Sequence, residues 1–164
     1  MNITDSIEIK ATPERVFEWI QSLKGKEEYI RWHPDHVDMR WIKGEPFKEG
    51  SIVYAEEYIH GRLHKIKFIC TRVIPNRLIE YQLISPLPFF APKNSFAMEP
   101  KGKDSCIFTT TASFRAGPLF GKLARKQIEA VKQHMKEEGG NLKKILEEEG
   151  RDRTTIEENR AKQE

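Results

Sequence analysis

The sequence predicts an α+β fold in which a curved antiparallel β-sheet grips one long C-terminal helix. Short runs of alternating apolar and polar residues recur between residues 2 and 115, a pattern typical of antiparallel strands. The longest helical pattern, residues 119–149, comes last in the chain. Because a sheet of this length must cover its apolar face, and this helix is the only large cover, we expect a cavity between sheet and helix.

Local patterns along the chain predict each element. The predicted strands cover residues 2–10, 37–42, 51–59, 64–73, 77–83, 95–98 and 104–115. A first helix begins after Thr12 with Pro13 in its first turn, because both residues favour a helix N-terminus, and it ends near Gly25. Residues 26–36 are interpreted as an aromatic-rich connection.

Length and composition indicate a single domain. The chain has 164 residues, and its 28 Lys+Arg against 25 Asp+Glu give a net charge of +3. We expect one domain over residues 1–149 and a polar C-terminal tail over residues 150–164. That tail is either frayed or an extension of the last helix, because it holds almost no apolar side chains.

Charge and hydropathy exclude several classes of function. Basic and acidic residues are interleaved, so the sequence predicts no nucleic-acid partner. The least charged stretch, residues 83–92, is too short and too rich in proline to span a bilayer, so we expect no membrane partner. Two cysteines provide no disulfide framework, and the first residues lack a signal-peptide pattern. We therefore expect a cytoplasmic protein. The sequence leaves open whether it forms a homodimer.

The apolar stripe of the last helix is interrupted at one position. The stripe includes Val131, Met135, Leu142 and Ile145. The slot between Met135 and Leu142 is Glu138, and His134 lies one turn earlier on the same face. Two ligand-type side chains one turn apart on a helix converge well enough to form half of a metal site. The alternative interpretation is a solvated surface turn.

A second polar residue faces inward from the predicted hairpin. A two-residue turn at Gly61 and Arg62 pairs Glu57 with Ile66, which must face the core. Glu57 is then inward and needs a cation or a metal as partner, whereas Glu56 lies outside opposite Lys67. A register shift of one residue would exchange the two glutamates.

The connection before the second strand contains two histidines. The run Trp32-His33-Pro34-Asp35-His36 could supply a further ligand through His33 or His36, with Asp35 orienting an imidazole. The alternative is an ordinary polar loop.

Taken in this order, these motifs resemble the zinc-dependent carbon–carbon hydrolases of acylated phloroglucinols. This diacetylphloroglucinol and phloretin hydrolase group belongs to the START-like (SRPBCC) helix-grip superfamily. The resemblance implies that zinc is held by four metal ligands, namely His33, Glu57, His134 and Glu138. It leaves His36 as the rival of His33 or as a neighbour that contacts substrate. The interval between the loop histidine and the strand glutamate is shorter here than in that group.

The resemblance implies a zinc-dependent hydrolase that acts on a small hydrophobic ketone such as an acylated phenol. A metal-activated water would attack the acyl carbon, and His36 and Glu57 are the expected catalytic residues. The expected partner is a hydrophobic or aromatic small molecule. Two alternatives remain: a binding or transport module of the same fold that performs no catalysis, and a metal-free protein similar to polyketide cyclases.

Overall fold

The structure is a computed structural model, and it describes residues 1–85, 93–115 and 125–161. Its elements in chain order are β1 Asn2–Ile9, α1 Pro13–Gln21, α2 Lys26–Trp32, β2 His36–Lys43, β3 Ile52–Ile59, β4 Arg62–Ile74, β5 Leu78–Ser85, β6 Asn94–Pro100, β7 Cys106–Ser113 and α3 Arg125–Ala161. Seven strands lie where the sequence predicts them, with ends that differ by at most two residues.

The seven strands form one curved antiparallel sheet, in the order β1-β7-β6-β5-β4-β3-β2. Consecutive strands from β2 to β7 are neighbours, and β1 returns to pair with β7. The long helix α3 packs most extensively against β1. The predicted fold class is therefore confirmed.

The first helix begins as the sequence predicts. The Thr12 hydroxyl accepts a hydrogen bond from the Arg15 backbone N–H, and Pro13 lies in the first turn. The interpretation of residues 26–36 as a connection is wrong in one respect, because this segment contains α2. The Glu28 carboxylate accepts the Gly25 backbone N–H at 3.2 Å and caps this helix. A helix of two turns is too short for its apolar periodicity to be visible in the sequence.

Helix α3 is longer than the core requires. Of its predicted stripe, Met135 and Leu142 are buried and Val131 and Ile145 are half-buried, and Leu146, which the stripe did not include, is buried as well. The helix continues to Ala161, so the tail extends it, and residues 151–161 are exposed. The predicted helical residues 119–124 lie outside the described part of the chain. None of the helices within the described ranges is long and apolar enough to cross a membrane.

The hairpin between β3 and β4 differs from its predicted register by two residues. His60 and Gly61 form the turn, and both have positive φ, at 53° and 72°. Such turns match the twist of the flanking strands. Glu57 therefore pairs with His64 rather than Ile66, and Glu56 pairs with Lys65 rather than Lys67. Because side chains alternate with a period of two, this shift leaves Glu57 on the inward face.

Candidate functional site

A cavity of about 750 Å³ lies between the sheet and α3. Its deep end is apolar and is lined by buried side chains that include Leu23, Met39, Phe47, Val53 and Cys70. Its open end, here called the rim, consists of the exposed residues His60, Arg62, His64, Lys126 and Gln127. An apolar cavity with a few polar groups is the usual form of a small-molecule site.

Four ligand-type atoms converge at this cavity, and we call them the histidine–glutamate cluster: His36, Glu57, His134 and Glu138. His36 Nε2 lies 3.1 Å from Glu138 Oε1 and 3.9 Å from Glu57 Oε2. His134 Nε2 lies 3.9 Å from Glu57 Oε2 and 3.8 Å from Glu138 Oε1. Three of these residues, Glu57, His134 and Glu138, line the cavity directly.

The hydrogen bonds of His36 fix its tautomer. Its Nδ1–H donates to the Tyr29 carbonyl oxygen at 2.8 Å, so the neutral ring directs the lone pair of Nε2 at Glu138. Burial lowers the pKa of His36, although the Glu57 carboxylate opposes this effect, and the neutral ring is favoured. Two acceptor atoms that face each other at 3.1 Å need a proton or a cation between them.

Burial also acts on the other three groups of the cluster. It lowers the pKa of His134, while Glu138 opposes the shift. It raises the pKa values of Glu57 and Glu138, and for Glu57 the nearby Glu138 carboxylate adds to the effect. His134 Nε2 is buried and has no hydrogen-bond partner among the described residues. A buried polar atom without a partner is costly, so this nitrogen is a site for a bound water or a ligand.

His33 contacts the cluster, because ligand atoms of His33, His36 and His134 all lie within 4.8 Å of one another. Its Nδ1 accepts the Asp35 backbone N–H at 3.0 Å, and its Nε2–H donates to Glu137 Oε2 at 3.1 Å. Both ring nitrogens are therefore occupied, although its ring centroid is 4.4 Å from that of His134. His36, the rival of His33 as a metal ligand, directs its Nε2 at Glu138, whereas His33 contacts Glu137, and the choice between the two histidines stays a prediction.

Two aromatic residues of α2 hold the cluster in place. The Tyr29 hydroxyl donates to Glu57 Oε2 at 2.6 Å, and its ring stacks on His36 with centroids 3.7 Å apart. Burial, with Glu57 second, raises the pKa of Tyr29, so the hydroxyl stays protonated. The Trp32 indole N–H donates to the backbone carbonyl of Glu138 at 3.0 Å. Sequence reasoning placed these aromatics near the histidines but could not assign their partners on β3 and α3.

Tyr81 is a further polar group of the cavity. It lies on the inward face of β5, and its hydroxyl makes no hydrogen bond with any described residue. Burial raises its pKa, and Glu138 and Glu57 add to the effect, which places both carboxylates within electrostatic range. Alternation with Ile79 and Leu83 is the sequence signal for its inward position. Burial raises the pKa of the Cys70 thiol, opposite Tyr81, to about 11, which disfavours the nucleophilic thiolate form.

Part of the cluster geometry matches a divalent metal ion. With zinc–ligand bonds of about 2.0–2.1 Å, the ligand atoms of a tetrahedral site lie about 3.3–3.4 Å apart. Four separations within the cluster, from 3.1 to 3.9 Å, bracket that value. Among the described residues, the ligand atoms that all lie within 4.8 Å of one another belong to two other sets, His33 with His36 and His134, and His33 with Asp35 and Glu137. Two imidazoles and two carboxylates suit zinc, and iron or manganese accepts the same set. The unpartnered His134 Nε2 agrees with this assignment.

Solved structures share the fold of this chain at low sequence identity. Norcoclaurine synthase from Thalictrum flavum, in complex with dopamine and hydroxybenzaldehyde, is 18% identical, with a TM-score of 0.73 over 90% of this chain and 87% of that one. The Zhui aromatase/cyclase from Streptomyces sp. R1128 is 12% identical, with a TM-score of 0.71 over 90% and 93%. The protein TTHA0849 from Thermus thermophilus is 15% identical, with a TM-score of 0.70 over 89% and 97%.

The family comparison covers most of the chain. A search of the curated proteins finds no match. The family described as polyketide cyclase/dehydrase and lipid transport matches residues 1–147. This match and the shared fold confirm the expected START-like superfamily. The chain belongs to the polyketide cyclase/dehydrase and lipid transport family.

Proposed function

We propose that this protein is a zinc-dependent hydrolase that cleaves a carbon–carbon bond in a small hydrophobic ketone, such as an acylated phenol. The observation that carries the proposal is the convergence of His36 with Glu57, His134 and Glu138, three residues that line an apolar cavity. Structural polar networks satisfy their buried atoms. This cluster leaves His134 Nε2 without a partner among the described residues and directs acceptor atoms at one another.

The proposed metal set is His36, Glu57, His134 and Glu138. Bound zinc would polarise a substrate carbonyl and lower the pKa of a water molecule to about 7. Tyr29 would keep Glu57 oriented through its hydrogen bond and hold His36 through the stacked ring. The apolar deep end of the cavity would hold the aromatic ring and exclude bulk water.

Hydrolysis of an acyl–aryl bond adds hydroxide to the acyl carbon and a proton to the departing ring carbon. His36 and Glu57 are the catalytic residues that the resemblance implies, but both belong to the proposed metal set. Neither His33 nor His36 lines the cavity. We therefore assign proton donation to the Tyr81 hydroxyl, which faces the cavity and stays protonated because burial raises its pKa.

A second candidate is a metal-free cyclase-like protein or a binder of a hydrophobic or aromatic molecule. The family description and the Zhui aromatase/cyclase favour it. In this case Glu57 and Glu138, whose pKa values are raised by burial, would act as neutral acids toward the ligand.

The experiment that separates these candidates is turnover of acylated phenols by metal-free and zinc-loaded protein. Acetylated phloroglucinols are the probe substrates, and release of the free acid is followed by chromatography. We expect activity only with zinc, and loss of activity in Glu138→Gln. Glu148→Gln is the matched control, because Glu148 is an exposed glutamate of the same helix. Equal turnover with and without a chelator would contradict the metal-dependent proposal and favour the second candidate.

A further inference from the structure

Charge is distributed unevenly along the cavity. The acidic side chains among its described lining residues, Glu57 and Glu138, belong to the histidine–glutamate cluster. The rim carries two fixed cations, Arg62 and Lys126, and two histidines. No described residue at the rim carries a negative charge to balance them.

The strand register places Arg62 at the cavity. Arg62 pairs with Ile59, and His64 pairs with Glu57, so both basic residues lie on the inward face of β4. The same face continues inward through Ile66 and Phe68, which are apolar cavity residues. The positively charged side chains therefore belong to the cavity lining and extend it from the apolar deep end to the rim.

The acidic residues near the rim cations do not form ion pairs with them. Arg62 and Lys126 form no ion pair within the described residues. Residues 86–92 and 116–124, which lie outside the described ranges, contain no Asp or Glu in their sequence. Glu129 follows Lys126 by three residues on α3, but it forms no ion pair with Lys126 and does not line the cavity. A cationic rim at an apolar cavity attracts a ligand with an opposite charge.

We propose that the ligand of this cavity is an amphipathic anion, with an apolar body in the deep end and a carboxylate or phosphate group against Arg62 and Lys126. Arginine favours these groups because its planar guanidinium can bind two oxygens at once. The inference rests on the proposed function for the cavity as the ligand site, and it narrows the substrate class from neutral hydrophobic ketones to acidic ones.

The test compares two fluorescent probes on metal-free protein. Anilinonaphthalene sulfonate and N-phenylnaphthylamine have similar aromatic bodies, but only the first carries a negative charge. Without metal, neither Glu57 nor Glu138 supplies a positive charge, so a preference for the sulfonate points to the rim cations. We expect the sulfonate to bind more tightly, and high salt to reduce that preference.

Charge-removing variants locate the effect. We expect Arg62→Gln and Lys126→Gln each to weaken sulfonate binding by about five-fold, the upper range for one exposed ion pair. Binding of the neutral probe should not change, which shows that the cavity is intact in each variant. Arg72→Gln is the matched control, because Arg72 is an exposed residue of β4 that does not line the cavity.

Displacement assays identify the anionic group. Naphthoate and naphthyl phosphate should displace the sulfonate probe better than neutral naphthol does, and the stronger of the two assigns the group. Equal displacement by all three, or equal binding of the two probes, would overturn this inference and leave the proposed function standing. If neither probe binds, the cavity is not open to ligands, and both proposals are contradicted.

Discussion

His36 Nε2 lies 3.1 Å from Glu138 Oε1, although 102 residues separate them in the chain. The contact joins the start of β2 to the middle of α3. The other ring nitrogen of His36 donates to a carbonyl, so Nε2 presents a lone pair to a carboxylate. This arrangement is stable only with a proton or a cation between the two atoms, and the following predictions distinguish these states.

The hydroxyl of Tyr29 is predicted to set metal affinity. Tyr29→Phe removes the hydrogen bond to Glu57 but keeps the ring that stacks on His36. We expect zinc affinity to fall by about 10–100-fold, as for other groups that orient metal ligands, with little change in the fold. Titration against a zinc-chelating dye measures the zinc affinity of the variant and of the wild type.

Tyr54→Phe is the matched control for that variant. Tyr54 donates to Glu56, the outward neighbour of Glu57, and lies away from the cluster. Loss of the Tyr54 hydroxyl should leave zinc affinity unchanged. If both tyrosine variants bind zinc as the wild type does, Tyr29 has no positioning role.

Glu57→Gln is predicted to change stability in opposite directions with and without metal. Burial raises the pKa of Glu57 above its ordinary value of 4.5. The folded protein therefore gains from protonation at low pH, and this gain is lost as pH rises through the folded pKa. Above that pKa the metal-free wild type holds a buried charge, so the variant should be more stable by about 1–3 kcal/mol.

Zinc should reverse this order of stability, so that the wild type is more stable than Glu57→Gln. The wild type gains binding free energy in the folded state, and the variant lacks one ligand. Denaturant unfolding of both proteins at about pH 8, with zinc and with a chelator, measures the two differences. In the metal-free pair the difference should disappear below pH 4.5, where the carboxyl is protonated in both states. A variant that is less stable under all these conditions would contradict the assignment.

Leu142 is predicted to anchor α3 to the sheet. Its side chain is fully buried, so Leu142→Ala should cost about 2–5 kcal/mol of unfolding free energy. Ile156→Ala, in the exposed part of the same helix, should cost less than about 0.5 kcal/mol. Denaturant unfolding compares them, and similar costs would mean that the outer part of the helix is packed in solution.

The helix beyond the core is predicted to be dispensable. Residues 151–161 are exposed, and the last fully buried side chain of α3 is Leu146. Deleting residues 151–164 should therefore leave the melting temperature within about 2 °C of the full chain, because little apolar surface is lost. A larger decrease, measured by calorimetry, would show that this segment supports the domain.

Local patterns could be predicted from the sequence, whereas contacts between residues distant in the chain could not. Strand alternation placed Glu57 inward even though its partner was His64 rather than Ile66, because a shift of two residues preserves the face. The pair His134 and Glu138 followed from helical spacing.

The choice between His33 and His36 needed tertiary structure. Both lie on one short connection and both rings reach α3, and only the path of the chain from α2 into β2 decides that His33 meets Glu137 and His36 meets Glu138. The contact of Tyr29 with Glu57 likewise joins residues from different elements. No local rule of spacing or propensity encodes such a contact, because packing of α2 on β2 produces it.

The most direct test of the metal assignment is the zinc content of His33→Ala, His36→Ala and His134→Ala beside the wild type. All four proteins are purified without affinity-tag metals, dialysed against zinc and analysed for their elements. The account predicts about one zinc per chain in the wild type and in His33→Ala, with loss in His36→Ala and His134→Ala. Absence of zinc from the wild type, or loss in His33→Ala with retention in His36→Ala, would contradict it.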